Sequence, residues 1–124
     1  MTNSTGSDLF SAAVRNNLAG LLSRENPTSA RLAEALQLAN QAVGFGEIGA
    51  FYGTRGWVHL ARDAHDSAEA DFRRVVELDE AGVEGWLGLA AVYKDSGRDA
   101  ADWKPAFDRA KQASGTGGLS RELS

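Results

Sequence analysis

A chain of 124 residues supports one modest core, and 43% hydrophobic with 24% charged residues is ordinary for a globular domain. A net charge of −4 with no basic run argues against nucleic-acid binding, which draws on clustered lysine and arginine. The absence of cysteine excludes a disulfide framework and any thiolate metal or redox centre, and it fits a reducing compartment.

In chain order, residues 1–7 are polar and predict disorder, without the charged and apolar regions of a secretory signal. No apolar run approaches the ~20 residues of a membrane span. These features predict a soluble cytoplasmic chain with no membrane insertion; a processed piece of an exported protein would read the same. A first helix is expected over about residues 8–24, with Leu9, Phe10, Ala13, Val14, Leu18, Leu21 and Leu22 at helical spacing. Asn26-Pro27-Thr28 ends it, because proline disfavours helix in the residue before it. A second helix over 29–43 carries Leu32, Ala35, Leu36, Ala39 and Ala42 on one face.

A third helix is expected over 50–62 and a fourth over 67–78, the latter opened by a capping pair of Asp66 and Glu69. A fifth spans 83–95 and stops at Ser96-Gly97. A sixth spans 103–113, where Pro105 would fall in the first turn, and residues 114–124 form a glycine-bearing flexible tail.

The spacing between these helices is periodic. Tyr52, Arg55, Gly56 and His59 are matched by Trp86, Leu89, Ala90 and Tyr93 at a constant offset of 34 residues. The first copy continues through Ala68, Phe72 and Glu77-Leu78-Asp79. Small residues belong where two helices cross closely, which sets Gly56 opposite Ala68, with Ala90 in the next unit. Tyr52, Phe72, Leu78, Trp86, Leu89 and Tyr93 would fill the space around these crossings. In a degenerate first unit, Leu18, Ala19 and Leu22 precede Arg55, Gly56 and His59 by 37, whereas Ala35 and Ala42 precede Ala68 and Val75 by 33. The difference implies about four extra residues in the loop near Glu25.

Over roughly residues 8–113 the chain resembles the tetratricopeptide repeat family, whose period is 34. Asn16-Asn17-Leu18-Ala19, the alanines Ala35, Ala39 and Ala42, and Arg55-Gly56-Trp57 look like a bacterial variant of it. The resemblance implies an all-α fold of three stacked helix-turn-helix hairpins, at about 8–43, 50–78 and 83–113. They would form a short right-handed α-solenoid whose concave groove receives a peptide or partner helix. Arg55 and His59 depart from the pattern, at sites usually apolar or aromatic. Glu80 stands where a proline often closes the repeat, and Trp103 falls opposite Ala68, where a small residue is expected.

Stepping one residue round each first helix places the groove lining at Asn16, Gly20, Gly53, Trp57, Leu60, Leu87, Ala91 and Lys94, with Ser23 and Arg24 at the edge. Trp57 is either an exposed anchor for a ligand or a core residue packed on the Asn16–Gly20 surface. Asn16 and Lys94 alone are too few polar groups for the carboxylate clamp used by some members of this family.

Other constellations read as structure. Gly44-x-Gly46-x2-Gly49 spells a dinucleotide-binding fingerprint, but a helix precedes it instead of a strand, so a turn between hairpins is expected. His59 and His65 lie off the spacing that puts two imidazoles on one helical face, so no metal site is assigned, and no cofactor. No nucleophile elbow or thiol is present, and Asp79-Glu80 reads as solvated surface, so the chain is not expected to be an enzyme. The expected function is a protein–protein interaction module of adaptor, scaffold or chaperone-like type. The alternative is a structural module that forms homo-oligomers through its C-terminal helix face at Trp103 and Phe107.

Overall fold

The computed structural model describes residues 5–115, which form six α-helices: α1 Thr5–Arg24, α2 Ser29–Phe45, α3 Gly49–Ala61, α4 His65–Leu78, α5 Val83–Asp95 and α6 Ala100–Gly115. No strand occurs among the described residues. Residues 5–7, expected to be disordered, open α1, and Ser114 and Gly115 close α6. The rest of the two predicted disordered ends, 1–4 and 116–124, lies outside the described residues.

Local chemistry sets the helix boundaries. Thr28 caps α2 with its hydroxyl, which accepts the Arg31 backbone N–H at 3.2 Å, a bond of about 1 kcal/mol. Asn26 and Asp63 take positive φ in the turns after α1 and α3. Gly97, at φ +83°, ends α5 in the left-handed conformation that glycine adopts without strain. The capping pair expected at Asp66 and Glu69 does not form: Ala64 precedes the helix without a side-chain cap, and Asp66 sits inside the first turn. Glu69 pairs instead with Arg73 at 2.8 Å and accepts the Tyr93 hydroxyl at 3.0 Å. Pro105 lies in the second turn of α6, because that helix begins at Ala100, three residues earlier than expected.

The helices pair as hairpins, α1 with α2, α3 with α4, and α5 with α6. Each helix also packs on the next in the chain, and α3 touches both α1 and α5, whereas α2, α4 and α6 make no contact with one another. The odd-numbered helices therefore form a contiguous row, α1 on α3 and α3 on α5, to which the even-numbered helices add without touching one another.

The two junctions between hairpins are built differently. Between the first and second, the buried side chains are small, Ala19, Ala35 and Ala39 against Val58, with a neighbouring cluster of Ala12 and Ala42 under Phe51. Between the second and third, the core is aromatic and aliphatic: Phe72, Leu89, Val92 and Tyr93, closed by Ala68, Ala90 and Ala106. α4 presents Ala68, Asp71, Phe72 and Val75 at i, i+3, i+4 and i+7, the stripe a helix buries against a core.

At Gly56 a Cβ would meet the Phe72 ring at 2.8 Å, so the ring is the close neighbour that excludes a side chain there. Two packing expectations are corrected. Leu78 fills no crossing and is exposed. On α1 the buried residues are Ala12, Ala19 and Gly20, whereas Leu9, Phe10, Val14, Leu18 and Leu21 are exposed.

Candidate functional site

A cavity of about 460 Å³ opens where α1, α3 and the start of α5 converge, lined by Gly20, Ser23, Arg24, Thr54, Trp57, Leu60, Ala61 and Glu84. Gly20 makes the room on the α1 side: a Cβ there would come within 3.0 Å of the Arg24 guanidinium. The floor is Trp57, half-buried, whose ring stands edge-on to Phe72 at 4.8 Å between centroids. Its indole N–H donates to Glu84 Oε2 at 3.2 Å. Glu84, in the first turn of α5, also covers Gly53 so closely that a Cβ at that position would meet Oε1 at 2.8 Å.

Of the eight residues expected to line a groove, Gly20, Trp57 and Leu60 meet at this cavity, together with the edge residues Ser23 and Arg24. Gly53 is buried beneath the Glu84 carboxylate. Asn16 is half-buried, with its Oδ1 buried and without a hydrogen-bond partner among the described residues. Leu87 is exposed and Ala91 half-buried, and neither lines the cavity. Lys94 lies over the Trp103 ring at 4.9 Å, an interaction of cation and aromatic face within one hairpin. Trp57 thus lines the cavity opposite Gly20 of α1, and its indole packs on Phe72 and the core of the second junction.

Trp103, half-buried, packs on the core beneath Lys94, and Phe107 is exposed with Lys111 over its ring at 5.8 Å. The α6 face is thus one exposed aromatic side chain among charged neighbours.

Sequence reasoning missed two elements. Glu84 reads as an ordinary acidic residue in a first helical turn, and nothing in its spacing announces Trp57 as its partner. The second is a polar cluster behind the site. Arg55 grips Asp71 with two bonds, Nε to Oδ2 at 2.9 Å and Nη2 to Oδ1 at 2.8 Å, and reaches Asn40 Oδ1 on α2 at 3.2 Å. One guanidinium thereby joins three helices. Asp71 is only 4% exposed, and His59 Nε2 lies 3.7 Å from its carboxylate. Burial, chiefly, holds the His59 imidazole below its ordinary range; the nearby Asp71 opposes this, while Arg55 and Arg62 reinforce it. The Arg55 guanidinium is held above its ordinary value by its bonds to Asp71. The signal was available: Asp71 falls on the buried stripe of α4, and Arg55 occupies a position where the repeat pattern expects an apolar residue.

His65 opens α4 and its Nε2–H donates to Asp95 Oδ2 at 2.9 Å, pinning the turn after α3 to the end of α5. With exposed Asp63 these groups offer three donor atoms within 4.8 Å of one another, two of them on exposed residues and the imidazole already bonded. No helix among the described residues is long and apolar enough to cross a membrane. No protein-family model, curated protein or solved structure matches this chain.

Proposed function

We propose that the chain is a protein-interaction module, a short tetratricopeptide-like right-handed solenoid that holds a peptide or partner helix between α1, α3 and α5. The observation that carries this reading is the cavity over Trp57. It joins an aromatic floor and the apolar Leu60 to two opposite charges at its rim, Arg24 and Glu84. Binding sites are commonly concave and apolar with a few convergent polar groups. Glu84 is engaged by the Trp57 N–H, whereas Arg24 forms no ion pair among the described residues. A segment with one large apolar side chain and an acidic group on its Arg24 side has the matching chemistry. About 460 Å³ accommodates one or two side chains of such a segment.

Peptide display against the intact chain tests this, with Gly20→Leu as the control. A leucine at Gly20 places a side chain at the cavity, and the nearest atom its Cβ meets belongs to the flexible end of Arg24. Removing a glycine from a helix interior favours the helix by about 1 kcal/mol. The expected result is a set of aromatic or aliphatic peptides with a nearby Asp or Glu that bind wild type. Gly20→Leu should weaken them ~10-fold or more while melting no lower than wild type. Peptides bound equally by both chains would remove the cavity from the function.

A further inference from the structure

We propose that the outward face of α1 pairs with the same face of a second copy, in antiparallel orientation, to form a symmetric dimer. This surface is separate from the cavity and from the α6 end. α1 packs only on α2 and α3, and toward them it buries the small residues Ala12, Ala19 and Gly20, with Leu22 the one larger apolar side chain packed there. On its other side Phe10, Val14, Leu18 and Leu21 follow one another at i, i+4, i+8 and i+11, between 40% and 71% exposed. A helix serving only its own monomer would have the reverse arrangement, with large apolar residues inward and small ones outward. Phe10, the most exposed of the four, is also the largest.

Two charged neighbours are turned aside: Arg15 on the flank bonds back to the Ser11 carbonyl at 3.4 Å, and Arg24, three residues beyond Leu21, lays its guanidinium beside Gly20. Area and order both favour a second copy. At these exposures the four side chains present on the order of 400 Å² of apolar surface, the size of the largest patch on an ordinary monomer. Two such faces with their flanks cover roughly 1,000 Å², the lower end of specific interfaces. The stripe also reads nearly the same from either end. About a twofold axis near Asn16, Phe10 meets Leu21 of the other copy and Val14 meets Leu18, so each contact is made twice. That self-complementarity is what a twofold interface requires, and an interface of this size predicts a dimer that dissociates on dilution.

Sedimentation velocity over a concentration series is the first test. Wild type is expected to shift from one chain to two with rising concentration. Phe10→Glu should weaken the association roughly 100-fold or more with unchanged helicity, since that side chain has little native packing to lose. The second test uses the absence of native cysteine: Phe10→Cys and Leu21→Cys chains are mixed under mild oxidation. Antiparallel pairing yields mainly the mixed disulfide. Predominance of the two homodisulfides would overturn the antiparallel arrangement. A wild-type monomer at all concentrations, which would leave the stripe to a different protein, overturns the dimer. So does a dimer untouched by Phe10→Glu.

Discussion

Phe72→Ala is expected to lose about 3–5 kcal/mol of stability, the largest loss from any single truncation in this chain. The Phe72 ring is fully buried on α4, with two bare helix backbones beside it, at Gly56 of α3 and Gly88 of α5. It is therefore the shared wall of the second hairpin and its junction with the third. Truncation leaves a void lined on two sides by glycines, whose lack of side chains gives the surroundings little with which to refill it. The converse substitution is informative. Gly88→Ala would gain about 1 kcal/mol in helix propensity, yet its Cβ would fall within the Phe72 ring. Overpacking of this kind costs about 1–3 kcal/mol or more, so a net loss is expected. Because one ring connects both effects, Phe72→Leu with Gly88→Ala should be less damaging than the sum of the two single changes. Urea denaturation followed by circular dichroism measures all four chains. A Phe72→Ala midpoint close to wild type would show that the ring is not the keystone described here.

How much of this was legible in the sequence depended on the kind of signal. Helix order and the turns at Pro27 and Gly97 could be read, because proline and glycine act through local backbone geometry. The 34-residue offset correctly gave Gly56 and Ala90 as buried small residues, but it could not say what approaches them. Gly56 faces Phe72 of its own hairpin, which a periodic pattern cannot distinguish from Ala68 one turn away. On α1, hydrophobic spacing was present on two faces at once, Ala12, Ala19 and Leu22 on one and Phe10, Val14, Leu18 and Leu21 on the other. Periodicity measures that a face exists, and nothing in it says which face meets the core. Within the candidate site, Trp57, Gly20 and Leu60 followed from one rotation rule applied to α1 and α3. That rule failed for Gly53 and Lys94, because Glu84 folds over the first and Trp103 draws in the second. The first joins α3 to the start of α5 and the second lies within one hairpin, and both are set by side-chain reach, which spacing does not encode.

Replacing Arg55 with methionine is the second large effect expected, about 3 kcal/mol, because it strands a buried carboxylate. Asp71 would keep only the His59 imidazole, 3.7 Å away, as its remaining titratable partner among the described residues, and that ring is charged only when protonated. The pH dependence distinguishes this loss from simple loss of packing. In wild type His59 titrates below the 6.5 of an unperturbed imidazole, chiefly through burial. Between the folded value and 6.5 the unfolded chain binds more protons, so this group makes stability fall as the pH is lowered through that window. In Arg55→Met a cation that disfavoured the imidazolium is gone, while the Asp71 charge that favours it is left without its guanidinium. The His59 value should rise toward 6.5, and as the gap between the folded and unfolded values narrows, less stability is lost when the pH is lowered through that window. Proton NMR resolves this directly, since His65 is the only other histidine in the chain. An upward-shifted His59 titration together with a smaller loss of stability on acidification is the expected result, and an unchanged slope would show that Arg55 does not govern this cluster. Removing both charges in Arg55→Met with Asp71→Leu should restore most of the lost stability, because a matched apolar pair has no desolvated charge to compensate. Recovery in the double variant would separate the two contributions: the guanidinium's fit to Asp71 makes the buried charge tolerable, and the burial of that charge is what makes Arg55 indispensable.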